Sequence, residues 1–415
     1  MKEYDGTTLY EYPQINYAVQ TITLKSEKEG KAMRSDFNNR QYKAGMGAFF
    51  LSGICAISAG IIVSILRDLY QLNYSFSGTL ISTMSVGNMA ALLFSGILPG
   101  KIGERSTTLL LCCGYFLGYM LMALTGNPAV LLLAFLLAGI AKGCTANKCT
   151  ILVGNNAPDR SKALSLMNAF FSLGALLCPF LISALQRRED RLAMAGVSAA
   201  GVLLWFTFFR ADMPRQFAFS GKGKSSAGPS FLKNPIFWLL AAQMFFQNAA
   251  EYVVNGWIVT YYKSEGILTG AAAAYTVSLQ WGMTLVARLI LAFGPKVRKP
   301  YRALSLMGVG LTLMYVLLLR METAVPALIV LGLFSFSIAG VYPLTTACIG
   351  EMTNSASVGV LLSIGGLGGI IFPWLVGVVA DTSGLRTGMA VNLIPCMGII
   401  ILPLFISRKA RQITE

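Results

Sequence analysis

The chain has 415 residues, 55% of them hydrophobic and 12% charged, with a mean hydropathy of +0.63 and a formal net charge of +15. Soluble domains carry about 25% charged residues, so this composition excludes a soluble multidomain protein and indicates a polytopic membrane protein. Eight scattered cysteines without a CxxC pair, and the absence of histidine, argue against a disulfide framework and a Cys/His zinc site; no cofactor and no metal are expected.

Residues 1–41 are polar, with Lys25, Lys28, Lys31, Arg34 and Arg40 among acidic neighbours, and read as a cytosolic tail without a cleavable signal peptide. Apolar runs follow at 44–65, 75–99, 107–125, 128–153, 163–185 and 192–209, then at 235–262, 271–293, 302–319, 325–349, 357–380 and 388–407. Each is close to the roughly 20 residues that a helix needs to cross a bilayer. The prediction is an all-α membrane protein of twelve transmembrane helices in two six-helix bundles, 42–209 and 235–407. Between them residues 210–234, with the stretch SGKGKSSAGPS, read as a flexible cytosolic linker, and 408–415 as a cytosolic tail.

With a cytosolic N-terminus, about 23 of the 33 Lys and Arg residues fall on the cytosolic side and about seven outside, as the positive-inside rule requires. The outer loop Gln186–Arg191 runs against the trend with three arginines. Lys142, Lys148 and Arg288 fall inside the spans. The basic residues sit in short loops with no soluble domain to gather them on one face, so nucleic-acid binding is a poor reading of the charge. A multi-pass protein of the cell membrane with both termini cytosolic is expected, monomeric and surrounded by lipid.

The two halves repeat one another. SLGALLCPFL at Ser172–Leu181 and GLGGIIFPWL at Gly366–Leu375 are offset by 194 residues, and Pro99-Gly100-Lys101 is echoed by Gly294-Pro295-Lys296 at nearly the same offset. A duplicated six-helix unit is what two bundles rocking about a shared midplane site need for alternating access.

The seventh run, Pro235–Tyr262, holds Glu251 near its middle. An ionisable group there costs about 2.5 kcal/mol or more and is kept where it faces a cavity, a partner or a substrate. Gln243, Gln247, Glu251 and Asn255 recur every four residues, one drifting stripe about 18 Å long on a helix.

GILPGKIGER at Gly96–Arg105 resembles the loop between the second and third helices of the major facilitator superfamily, of G-x-L-x-D-R-x-G-R-R type. The E-x(5)-W-x(3)-Y spacing of Glu251, Trp257 and Tyr261 is similar to the seventh helix of the fucose and glucose/galactose-type sugar porters of that superfamily. Trp281–Arg288 (WGMTLVAR) resembles their eighth helix and Ala339–Pro343 (AGVYP) their tenth. The resemblance implies the major facilitator fold, a sugar-like solute, and a cytosolic gate at Gly96, Gly100, Lys101, Gly103 and Arg105. Two departures stand out. Gly100 replaces the aspartate of the loop pattern, which removes the usual charge relay to the neighbouring helix. The first span has no acidic residue, the repeat placing Ile57 opposite Glu251, and the fourth carries Lys142 and Lys148 where such symporters commonly have acids.

The candidate substrate and ion ligands are Glu251, Gln247, Asn255, Lys142, Asn147, Lys148, Trp257, Gln280, Trp281, Arg288, Asn88, Asn168 and Tyr342. Each has a plainer alternative. Glu251 is either a coupling group or a tie between helices; Lys142, near mid-span, cannot easily snorkel, whereas Lys148, about 9 Å nearer the cytosol, can. Arg288 ends the stripe Thr276, Gln280, Thr284, Arg288 and either meets solute or anchors the helix at its mouth. Trp257, Trp281 and Tyr342 either stack on a sugar ring or pack; Asn88, Asn147 and Asn168 either bind hydroxyls or join helices.

The sequence therefore reads as a secondary transporter of a small polar solute, a sugar first, driven by a proton or sodium gradient. Its competitor is a carrier of an organic anion or sugar acid, or a proton-coupled exporter, with the three buried cations as counter-charge. No P-loop and no nucleophile and base constellation support an enzyme. A pair between Lys142 and Glu251 is expected in at least one conformation, since an isolated ammonium at the midplane is costly.

Overall fold

The computed structural model describes residues 39–158, 160–211, 235–293, 299–350 and 355–414, all helix and connection with no strand among them. The long helices are α1 (Asn39–Tyr70), α2 (Tyr74–Ile97), α3 (Glu104–Leu124), α4 (Pro128–Asn155), α5 (Arg160–Gln186) and α6 (Asp190–Arg210), then α7 (Pro235–Ser264), α8 (Gly270–Phe293), α9 (Pro300–Leu318), α10 (Ala324–Ala339), α11 (Ser355–Ser383) and α12 (Leu393–Thr414). They are the twelve helices of two six-helix bundles. Most outrun the apolar stretch in their sequence, because a helix continues past the hydrocarbon into polar residues. The linker and the N-terminal tail fall outside the described residues apart from the edges of each; part of the expected C-terminal tail continues α12 as helix to Thr414.

Helix ends follow local chemistry. Pro128 and Pro300 stand at the first turns of α4 and α9, where no intrahelical N–H is needed, and the Asn127 side chain accepts from the Ala129 N–H at 3.0 Å. The tenth predicted run is broken: α10 stops at Ala339, and a ten-residue helix, Val341–Gly350, resumes after Gly340. Pro343 lies in its first turn and has no N–H to carry the earlier ladder onward. The twelfth is likewise preceded by a short helix, Leu385–Ala390.

Nine of the described helical segments are long and apolar enough to cross a membrane. α7 is not one of them, since its polar stripe lowers its hydropathy.

The halves pack alike. In the first, α1 lies on α5, α2 on α4 and α3 on α6; in the second, α7 lies on α11, α8 on α10 and α9 on α12. The repeat is visible at atomic scale. A Cβ on Gly174 of α5 would stand 2.0 Å from the Phe50 carbonyl oxygen of α1, and one on Gly368 of α11 would stand 2.0 Å from that of Phe245 on α7. Only glycine permits either crossing. The halves meet where α2 lies on α11, α5 on α8 and α1 on α7.

Candidate functional site

One end of the bundle is clamped shut across the halves. Asp381, at the end of α11, accepts from the Tyr74 and Ser75 N–H groups at the start of α2, both at 2.8 Å. Lys263 on α7 pairs with Asp68 on α1 at 2.5 Å. Arg67 covers the Tyr74 ring at 3.9 Å and lines a cavity of about 420 Å³ with Asp68, Gln71 and Asp381. Deeper, Trp257 is fully buried, donates to the Pro373 carbonyl at 3.0 Å and leans on Tyr74. Trp257 thus packs in this seam in this conformation, the second of its two readings: its spacing from Glu251 carries it nearly two turns toward the clamped end.

Below the seam the α7 stripe turns toward the other elements. Glu251 is half-buried and accepts from Gln247 Nε2 at 2.6 Å. Asn255 Oδ1 accepts from Gln280 Nε2 of α8 at 2.7 Å. Arg288, two turns along α8, lies within electrostatic reach of Glu251 and Tyr342 and 5.9 Å over the Trp281 ring. Phe171 of α5 meets Trp281 edge-on at 5.4 Å. Tyr342, exposed at the start of the helix after α10, is in electrostatic reach of Tyr252, Glu251 and Arg288. From the other half comes Lys142, whose Nζ donates to Tyr252 Oη at 3.4 Å and lies 4.7 Å over the Tyr252 ring. In this conformation the lysine meets Glu251's neighbour, a contact that the sequence reading did not foresee.

Glu251, Gln247, Asn255, Lys142, Gln280, Trp281, Arg288 and Tyr342 therefore come together. Three of their polar atoms, Gln247 Oε1, Gln280 Oε1 and Trp281 Nε1, are buried without a hydrogen-bond partner among the described residues, as are both amide atoms of Gln243 further along α7. Buried amides are normally satisfied, so these groups are open to a further partner.

Four other expected ligands stand apart. Asn168 is exposed and bonds to the Leu164 carbonyl of its own helix. Asn147 donates to Ser95 at 2.8 Å and joins α4 to α2. Asn88 is half-buried against Gly143 of α4, beside Lys142. Lys148 is 1% exposed and ion-paired with Glu104, itself 7% exposed at the first residue of α3. That pair gives Lys148 a partner of its own, and it brings a carboxylate into the bundle because α3 begins three residues ahead of its apolar run. The relay that Gly100 removes has a counterpart four residues on, with Glu104 as the carboxylate of the loop motif and Lys148 of α4 as its partner.

The rest of the loop motif forms a turn. Gly96 lies in the last turn of α2; Pro99–Ile102 is a single helical turn with Gly100 and Lys101 exposed. Gly103 ends it at φ 83°, a conformation that a side chain would strain. Arg105 donates to the Phe209 carbonyl at 2.9 Å and covers its ring, fastening α3 to the end of α6 within one half.

The family model of the Major Facilitator Superfamily matches residues 45–364. The chain belongs to that superfamily. It is a transporter and not an enzyme, a multi-pass membrane protein whose partners include a small-molecule substrate. Among curated relatives it is 23% identical to an uncharacterised MFS-type transporter of Yersinia pestis over 89% of this chain and 94% of that one. It is 26% identical to the inner membrane transport protein YdiM of Escherichia coli over 40% of this chain, spanning 42% of YdiM. It is 25% identical to the glucose transporter GlcP of Staphylococcus epidermidis over 38% of this chain, spanning 36% of GlcP. Among solved structures, an inward-facing, unoccupied bacterial homologue of the lysosomal transporter Spinster superposes with a TM-score of 0.74 at 14% identity, covering 90% and 97% of the two chains. A D-xylose–proton symporter does so with 0.70 at 14%, covering 88% and 95%. At such identities these two establish the fold.

Proposed function

We propose that this transporter moves a small, hydroxylated solute of the sugar class across the cell membrane by alternating access, and that Glu251 couples the movement to a proton or sodium gradient. One observation carries the reading. A half-buried carboxylate sits at mid-helix in α7, bonded to Gln247 and within electrostatic reach of Arg288, where the buried Gln247, Gln280 and Trp281 keep polar atoms without a hydrogen-bond partner among the described residues. A hydroxylated solute supplies donors and acceptors to such atoms, and a carboxylate in that setting is poised to exchange an ion. The glucose transporter and the D-xylose–proton symporter among the similar proteins agree with a sugar-sized solute. The excess of Lys and Arg in the loops on one side supports cytosolic termini, and on that reading the clamped end faces outward and this conformation faces inward.

Purified protein in proteoliposomes, offered a panel of radiolabelled monosaccharides, should accumulate at least one when an inward proton or sodium gradient is imposed. Glu251→Gln should keep solute exchange and lose accumulation. Full accumulation by that variant overturns the role of Glu251.

A further inference from the structure

The charges of the central group do not balance. Lys142 and Arg288 supply two positive charges and Glu251 one negative, leaving one positive charge over among the central residues of the spans. The two cations are not equivalent. Arg288 has Glu251 in electrostatic reach. Lys142 meets only the hydroxyl and ring face of Tyr252 and, among the described residues, pairs with no carboxylate. A ring face holds an ammonium in place but leaves its charge uncompensated. Lys148, six residues on along the same helix, shows the contrast: it is more deeply buried and has Glu104 as a partner. The chain thus supplies a counter-charge to one α4 lysine and withholds it from the one that reaches across to α7.

We propose that the solute is a sugar acid whose carboxylate docks on Lys142 Nζ while its hydroxyls meet the amides of Gln247 and Gln280. The inference rests on the reading of the chain as a carrier of a hydroxylated solute, and it adds the charge that the solute must bear. Tyr252 is the positioning residue, its ring and hydroxyl setting the lysine at the boundary between the halves. Arrival of the carboxylate neutralises the group and leaves Glu251 free to exchange its ion beside Arg288.

The test uses full-length protein in nanodiscs and three matched pairs: D-glucuronate with D-glucose, D-galacturonate with D-galactose, and D-gluconate with D-glucitol. In at least one pair the acid should bind about tenfold or more tightly than its neutral partner, a difference of the size expected for one charge-assisted contact. Lys142→Met should erase that preference and Lys142→Arg retain it. No acid preference in any pair of the unaltered protein overturns the proposal, as does a preference that survives in Lys142→Met. The comparison within the unaltered protein stands even if a variant folds poorly. Benzoate separates the two layers of the argument. If it binds as tightly as the best acid and needs Lys142, the hydroxylated-solute reading fails while the anchor holds; a flat comparison of acids with neutral sugars removes the anchor alone.

Discussion

At Gly174 and at Gly368 the two halves make the same kind of close crossing, a Cβ standing 2.0 Å from a facing carbonyl in each, yet the polar groups of the two halves differ. In the first half Ser52 bonds to Tyr115 at 3.0 Å, Ser58 to Tyr119 at 2.8 Å, and Tyr119 to the Cys55 carbonyl, a hydroxyl network closed on itself. In the second half Gln243, Gln247, Gln280 and Trp281 each keep a buried polar atom without a partner. Ile57, the repeat counterpart of Glu251, is 8% exposed and packs in the core. A duplicated scaffold has been kept symmetric where backbones touch and has diverged where chemistry is done. The first half pairs these hydroxyls with one another and sends a lysine across, while the second keeps amide and indole atoms open among the described residues.

The largest way to break this contrast is at the buried Glu104–Lys148 pair of the first half. Removing one partner of a buried ion pair costs about 3–5 kcal/mol because the other is left uncompensated, whereas replacing both with apolar groups is often close to neutral. Glu104→Gln and Lys148→Met should therefore each lower the melting temperature in detergent sharply, and Glu104→Leu with Lys148→Met should recover most of the loss. Glu251→Gln, in the site, should leave the melting temperature nearly unchanged. Equal damage from all three single variants would erase the distinction between wall and site.

The symmetry of the scaffold can be tested at its glycines. Each Cβ would fall 2.0 Å from a backbone carbonyl, which cannot move aside as a side-chain tip can. Gly174→Val and Gly368→Val should each cost about 3 kcal/mol, at the upper end of overpacking effects, and by similar amounts. Markedly different losses of folded yield would show that the two crossings no longer carry equivalent loads.

The scaffold was legible in the sequence because it rests on features with a period: apolar runs near span length, the 194-residue offset and the fourfold spacing of the α7 stripe. The partners of the charged residues were not. Tyr252 was passed over as an aromatic next to a more conspicuous carboxylate, and only the approach of α4 makes it the contact of Lys142. Glu104 was counted with a loop, because the apolar run begins three residues later although the helix has already started. A signal was present there: the loop pattern has a base where this chain has Glu104, and α4 carries a lysine in need of a counter-charge. Trp257 went the other way, since its spacing from Glu251 matched a sugar-porter pattern while its depth placed it in the seam.

Gln243 sharpens the contrast from the other side. It is fully buried, and neither amide atom has a partner among the described residues. An unsatisfied buried polar group costs about 1–3 kcal/mol, so Gln243→Leu should raise stability by about that amount while weakening solute binding. A melting curve and a binding isotherm on the same preparation decide it. Raised stability with unchanged affinity would place Gln243 outside the site and make it a cost with no function attached.

The smallest effect is expected where the halves touch at the clamped end, because those contacts need to be broken in every cycle. Asp381 caps α2 from the opposite half, accepting from two backbone N–H groups, and loss of such a cap costs about 1 kcal/mol. The Asp68 and Lys263 side chains are 52% and 24% exposed, and an ion pair so open to water contributes about 0.5 kcal/mol and weakens with salt. Asp381→Ala should therefore shift the population toward opening at this end by about fivefold, and Asp68→Asn by about twofold, each as read from spin-label distances between the ends of α1 and α7. The second shift should shrink at high ionic strength, while the first, whose acceptor faces fixed backbone donors, should persist. A twentyfold shift in either would mean that the clamp is a latch holding one state; shifts of the expected size mean that it closes a path and leaves the balance of states to the charges at Lys142, Glu251 and Arg288.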